Sequence, residues 1–242
     1  MWTNSMLKEN GLANFKKNRW ACVVVCLILG IATGGSGGSV GSRIGNSSGQ
    51  ASNGQYDFSN IDPEVLIPIL ITILSVGFVA ILIGLVLKIC VFNPLEVGCQ
   101  RFFIVNRVEP NAQIGNVAFG FKSNWKNIMK VMFLTHLYLF LWSLLCFIPG
   151  IVKSYSYRLV PYLLAENPDM TADEAITLSR QMMNGQKMNA FIYDLSFIGW
   201  FILGILTCGI LLVLHVSPYK KCSDAELYTA IKENYNPQPV VM

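Results

Sequence analysis

Charge is what this sequence has least of. Only 13% of its 242 residues are Asp, Glu, Lys or Arg, against 53% hydrophobic, and a soluble domain of this length needs far more charge to cover its surface. Histidine is almost absent, and His215 has no acid, cysteine or second histidine at ligand spacing, which argues against a metal centre and leaves no cofactor implied. The seven cysteines include no Cys-x-x-Cys pair and lie mostly in or beside apolar runs. They read as small packing residues rather than a disulfide framework or a metal site, although Cys22 and Cys26 share a helix face. There is no Ser-His-Asp order, no phosphate-cradling Gly loop between a strand and a helix, and no pair of acids at useful spacing. The chain is therefore expected not to be an enzyme. Basic residues form no stripe interleaved with aromatics, which excludes nucleic acid as a partner.

What is abundant is apolar sequence in long unbroken runs, so lipid is the expected solvent. The expected fold is all-α, a polytopic membrane helix bundle with four apolar runs, six crossings and cytoplasmic amphipathic helices. Residues 4–19, "NSMLKENGLANFKKNR", place Leu7, Gly11 and Phe15 on one face beside four basic residues, the pattern of a helix lying on a membrane surface. This gives a cytoplasmic amphipathic segment, 1–19, ahead of a single transmembrane helical domain, 20–242. The run after Trp20, "ACVVVCLILGIAT", is short; it reads as a retained first helix or as the core of a cleaved signal peptide. The long basic helix before it and the lack of a clean A-x-A site favour retention. A Gly/Ser linker follows at 34–60, which is expected to be disordered and extracytoplasmic.

Asp62, Pro63 and Glu64 form a strong helix start. No charge occurs from Val65 to Leu87, and residues 64–92 as a helix measure roughly 43 Å against ~30 Å of hydrocarbon. This run tilts or protrudes and continues past a kink at Pro94. "NIMKVMFLTHLYLFLWSLLCFIPG" gives a further span. "TADEAITLSRQMMNG" is an amphipathic helix with Thr171 and Glu174 at capping-box spacing and Gly185 as its stop. The last run is "AFIYDLSFIGWFILGILTCGILLVLHV", ahead of a charged tail.

The blocks "NPLEVGCQRFF", "FLWSLLCFIPGIVKSYSYRLVPYLLAENPD", "SRQMMNGQKMNAFIYDLSFIGW" and "SPYKKCSDAELY" resemble the bacterial integral membrane proteins grouped as the domain of unknown function 975 family. The resemblance implies a bacterial cell-membrane location and a common fold, and no chemistry. More distantly, "IPGI" followed by a Ser- and Arg-bearing amphipathic helix resembles the membrane domain of certain glycerophosphodiester phosphodiesterases. That domain is not the catalytic one, so no active-site residue carries over.

Lys and Arg set the expected topology. The N-terminus and 93–127 are basic and cytoplasmic, and the linker is outside. Pro149-Gly150 is expected to be a tight outer turn, so that 151–166 returns as a short kinked helix and 171–184 lies on the cytoplasmic face. The same logic splits the last run near Thr207-Cys208-Gly209 and brings the tail back inside. The blocks "NPL…QRFF" and "SPY…AELY" hint at a loose internal repeat: a span, a proline kink, then an amphipathic extension.

Three intramembrane polar residues stand out. Arg158 falls roughly 12 Å from the inner end of its helix and Asp194 roughly 9 Å from the start of the next. Intramembrane charges face the protein interior and find partners, so the two are expected to form a buried pair. His136 is a weaker candidate, a proton relay or a hydrogen-bonded packing residue. These features favour a non-catalytic module that binds membrane lipids or a protein partner, with a homo-oligomer as a further option. A small transporter or channel subunit is the alternative, and an enzyme of lipid or envelope metabolism ranks third.

Overall fold

The computed structural model describes residues 2–33, 63–109, 111–145, 147–207 and 209–235. The expected Gly/Ser linker and its outer location lie outside the described residues. Those described are helical throughout, with no strand. Three helical stretches are long and apolar enough to cross a membrane: Leu74–Val108, Trp125–Leu145 and Lys187–Leu206. The first apolar run forms only a shorter apolar helix, Arg19–Gly30. By length it is not a fourth span of the same kind.

Helix α1 (Asn4–Lys17) is capped by Thr3. Its stripe of Leu7, Gly11 and Phe15 is buried, but against the last helix, α12 (Ser217–Asn234), rather than left free for a membrane surface. The approach is close. A Cβ at Gly11 would lie 2.1 Å from Ser223 Oγ and 2.7 Å from Ser223 Cα. An apolar stripe on a surface helix identifies a face to be covered and does not say what covers it.

Helix α2 (Arg19–Ala32) packs on α12 and on the helix Asn93–Val108. Helix α3 (Pro63–Leu87) is apolar all round, and its outward residues, among them Leu74, Ile81 and Leu85, are exposed. A helix of that composition needs an apolar solvent. It runs through a π-helical segment, Lys88–Phe92, into α4 (Asn93–Val108). The cause is Pro94, whose ring clashes with the carbonyl four residues back and supplies no N–H. That carbonyl, on Cys90, instead accepts a 3.0 Å hydrogen bond from the Trp125 indole. A second π-helical segment, Leu212–Val216, precedes Ser217-Pro218 at the start of α12 in the same way. The two copies of the suspected repeat thus share one backbone device.

After a short 3₁₀ turn and α5 (Phe119–Lys122), α6 (Trp125–Leu145) and α7 (Phe147–Tyr157) form a helical hairpin. Pro149 and Gly150 lie inside the first turns of α7 and do not form the tight turn that the sequence led us to expect. Pro149 is tolerated inside the first turn of α7, and Gly150 packs against Ser143 across the hairpin. Helices α8 (Val160–Glu166) and α9 (Ala172–Met182) follow. The Thr171–Glu174 capping box is formed at the start of α9. Ala175, Ile176, Met182 and Met183 are buried while Arg180 is exposed. Helices α10 (Lys187–Leu195) and α11 (Ile198–Leu206) lead to Gly209, whose φ of 83° permits the reversal into the second π-helical segment.

Burial is graded along α6. Ile128, Val131 and Met132 are in the core, whereas Phe140, Leu141, Leu144 and Leu145 are exposed. The other hairpin has the same exposed apolar tip at Ile205, Leu206 and Ile210. The larger core cluster draws on α1, α2, α4, α8, α10 and α12, and a second forms around Ile128, Val131 and Met132 of α6 with α8 and α9. The larger contains Phe102, Phe103 and a stacked Tyr162–Tyr228 pair with ring centroids 5.1 Å apart.

Candidate functional site

Arg158 sits in the two-residue break between α7 and α8, where Pro161 at the second position of α8 interrupts the backbone ladder. Its guanidinium grips Asp194 of α10 with both arms, Nη1 to Oδ2 at 2.7 Å and Nη2 to Oδ1 at 3.1 Å. The two residues singled out in the sequence are therefore in direct contact. They are not alone. Nη2 also donates to Asp224 Oδ1 of α12 at 2.8 Å. Lys220, one turn before Asp224, donates to Asp194 Oδ1 at 2.9 Å and to Asp224 Oδ1 at 3.1 Å. The Tyr155 hydroxyl donates to Asp194 at 3.0 Å and that of Tyr193 to Asp224 at 3.2 Å.

Two cations, Arg158 and Lys220, thus face two carboxylates, Asp194 and Asp224, and their charges cancel. Nearly all the acceptor positions of both carboxylates are filled, which is the condition under which buried charge is tolerated. Asp224 lies outside the three candidate spans and is only 6% exposed. Burial works against its charged form, but Lys220 and Arg158 outweigh that and hold its carboxyl down to about 2.

This cluster forms one wall of a cavity of about 610 Å³, within the usual range for a small-ligand site. Arg158, Asp194 and His136 all line it, so the structure brings the three sequence candidates to one place. The facing wall comes from α4 and α6: Glu96 and Gln100, one turn apart on α4, with Thr135 and His136 of α6. His136 Nδ1 lies 2.7 Å from the Met132 carbonyl. A carbonyl only accepts, so Nδ1 is the donor in this contact. His215 is elsewhere, within an aromatic group formed by Phe15, Trp200 and Tyr219.

Sequence reading missed Lys220, Asp224, Glu96 and Gln100. The i,i+4 spacing of Lys220 and Asp224 was visible, but such a pair in a charged tail usually lies on a solvated face. Among the described residues no group of three or more His, Cys, Asp or Glu is arranged to hold a metal ion. The cysteines in the core, Cys22, Cys99 and Cys222, are unbridged, and the sulfurs of Cys22 and Cys222 are 3.7 Å apart.

No curated protein and no solved structure matches the chain. Residues 144–235, which carry Arg158, Asp194, Lys220 and Asp224, match the model of the family described as protein of unknown function (DUF975), the family whose members the sequence blocks resemble.

Proposed function

We propose that this chain is a non-catalytic, multi-pass module of a bacterial cell membrane whose cavity holds the headgroup of a membrane lipid. The observation that carries the reading is the order of environments along α6. Core residues Ile128, Val131 and Met132 give way to the cavity at Thr135, His136 and Leu139, and then to an exposed apolar tip at Phe140, Leu141, Leu144 and Leu145. A charged and hydrogen-bonding cavity at the boundary between a protein core and apolar, lipid-facing surface is where a headgroup belongs. Its acyl chains would run along the exposed tips of the hairpins.

In this reading the N-terminus is cytoplasmic and six crossings are made. Helix α9 lies at the cytoplasmic face with Arg180 toward the headgroups. The packing of α7 back along α6 and the positive φ of Gly209 support the two short return crossings. Arg158 and Asp194 facing the cavity also support a transporter or channel subunit. That reading ranks second because both side chains are tied into a neutral cluster and are not free to pass an ion. The test is native mass spectrometry of the purified full chain released from membrane-lipid nanodiscs. Retained phospholipid is expected. A chain free of lipid, combined with solute or ion flux in liposomes, would transfer support to the second reading.

A further inference from the structure

The Arg158 cluster closes on itself, because Arg158 and Lys220 cancel Asp194 and Asp224. Other groups on the same cavity are not so occupied. Lys221 of α12 and Glu96 of α4 both line it, and among the described residues neither forms an ion pair. They place one uncommitted charge of each sign on a single space. Tyr162 of α8 lines it too and is only 4% exposed. The hydroxyls of Tyr155, Tyr193 and Tyr228 each donate to a carboxylate. That of Tyr162 has no partner among the described residues, yet it is not sealed off as the Gln100 carbonyl oxygen is. In a side chain so buried, the surface that the hydroxyl keeps belongs to the cavity. Gln100 lines the same space, and since its carbonyl oxygen is occluded, the edge of its amide that opens there is the N–H edge. A buried donor left without an acceptor is costly, so these groups point to a ligand that accepts.

Two neutral donors and an ammonium call for an acceptor that carries negative charge, and a phosphodiester supplies one. Glu96 adds the opposite requirement. A ligand with negative charge alone would satisfy Lys221 and leave Glu96 facing a like charge in a partly desolvated space. A ligand that carries both signs leaves neither residue unpaired. We propose that the cavity takes a zwitterionic phospholipid headgroup, its phosphodiester accepting from Lys221, Gln100 and Tyr162 and its cationic end lying toward Glu96. A carboxylate attracts a primary and a quaternary ammonium alike, so selection turns on the arrangement of charge and not on the number of N–H donors in the headgroup. This inference rests on the headgroup reading above and extends it to a lipid class.

The experiment places the full-length chain in nanodiscs that hold equal amounts of phosphatidylethanolamine, phosphatidylcholine and phosphatidylglycerol with identical acyl chains. The lipid retained on release is identified by native mass spectrometry. Phosphatidylethanolamine and phosphatidylcholine are expected to be retained alike, each about tenfold over phosphatidylglycerol, a discrimination between that of a surface and that of a buried ion pair. Glu96→Gln should reverse the order, because the cavity then carries a net positive charge and favours phosphatidylglycerol. A merely structural role for Glu96 would lower all three together. Tyr162→Phe removes a hydroxyl that has no partner among the described residues. It should leave the thermal unfolding of the lipid-free chain unchanged and weaken retention of all three lipids about tenfold, the loss of one hydrogen bond to a charged group. Equal retention of the three lipids, preference of the unaltered chain for phosphatidylglycerol, or an unchanged order in Glu96→Gln overturns this inference and leaves the headgroup reading standing. Retention of none overturns both. Displacement of the bound lipid by an equimolar amount of soluble phosphocholine also overturns both, and assigns the site to a soluble phosphate ester.

Discussion

Removing Arg158 leaves Asp194 and Asp224 facing each other with only Lys220 between them, a net charge of −1 in a largely buried cluster of which Asp224 is the most enclosed member. Breaking a buried pair by deleting one partner costs about 3–5 kcal/mol. Arg158→Met should therefore lower the midpoint of thermal unfolding by roughly 6–20 °C for a chain of this size. Asp194→Leu leaves the opposite excess, Arg158 and Lys220 sharing Asp224, and should cost about as much. The double variant is the informative one. It removes one charge of each sign and leaves Lys220 on Asp224 at 3.1 Å, a neutral i,i+4 pair. It should be no worse than the worse single variant, so the coupling energy should be at least as large as the smaller single effect, about 3 kcal/mol, at or above the top of the ~0.5–3 kcal/mol range for contacting residues. The assay is differential scanning fluorimetry in detergent, with protein level in the membrane as a second readout. Additivity to within ~0.5 kcal/mol would show that the contact between Arg158 and Asp194 does not exist in the folded protein.

Other outcomes follow from the same geometry. Gly11→Val should separate α1 from α12, since the new Cβ would meet Ser223 at 2.1 Å; a loss of about 1–3 kcal/mol and faster proteolysis within α1 are expected. Asp224 has its folded-state carboxyl held at about 2, below its ordinary value. Its contribution is complete above about pH 4 and is lost as pH falls from there through about 2. Asp224→Asn should abolish that part of the pH dependence of unfolding. For topology, a cysteine at Ser48 should react with an impermeant thiol reagent on intact cells and one at Arg180 should not. Labelling of Arg180→Cys without permeabilisation would sink the return crossing.

How much of this was legible depended on what each pattern encodes. Apolar runs report solvent, and the three long apolar helices and the capped α9 follow from hydropathy and from Thr171–Glu174 spacing. The contact between Arg158 and Asp194 followed from depth, because two opposite charges at similar height on consecutive helices have few other partners. Partners from distant sequence were not legible. Asp224 and Lys220 reach the cluster only because α12 returns to the core, and that return depends on the reversal at Gly209 and on α1 covering the opposite face of α12. Glu96 and Gln100 were hidden for a related reason. Next to Pro94 they resembled the polar end of a span, and only the packing of α4 against α6 turns them toward His136. The misplaced turn at Pro149-Gly150 has a local cause. Proline and glycine mark turns on average, yet the first turn of a helix accepts proline, and a glycine can serve close packing instead of reversal.

The central claim is that the cavity between α4, α6 and α10 holds a lipid headgroup, and photo-crosslinking tests it most directly. The full chain is illuminated in nanodiscs containing a phosphatidylethanolamine with a diazirine next to the headgroup, and the adducts are mapped by peptide mass spectrometry. The account predicts adducts on cavity residues such as Met132, Leu139 and Tyr155, suppressed by excess unlabelled lipid. Adducts confined to the outer surface of α3, at residues such as Leu74 and Ile81, and indifferent to competition, would contradict it.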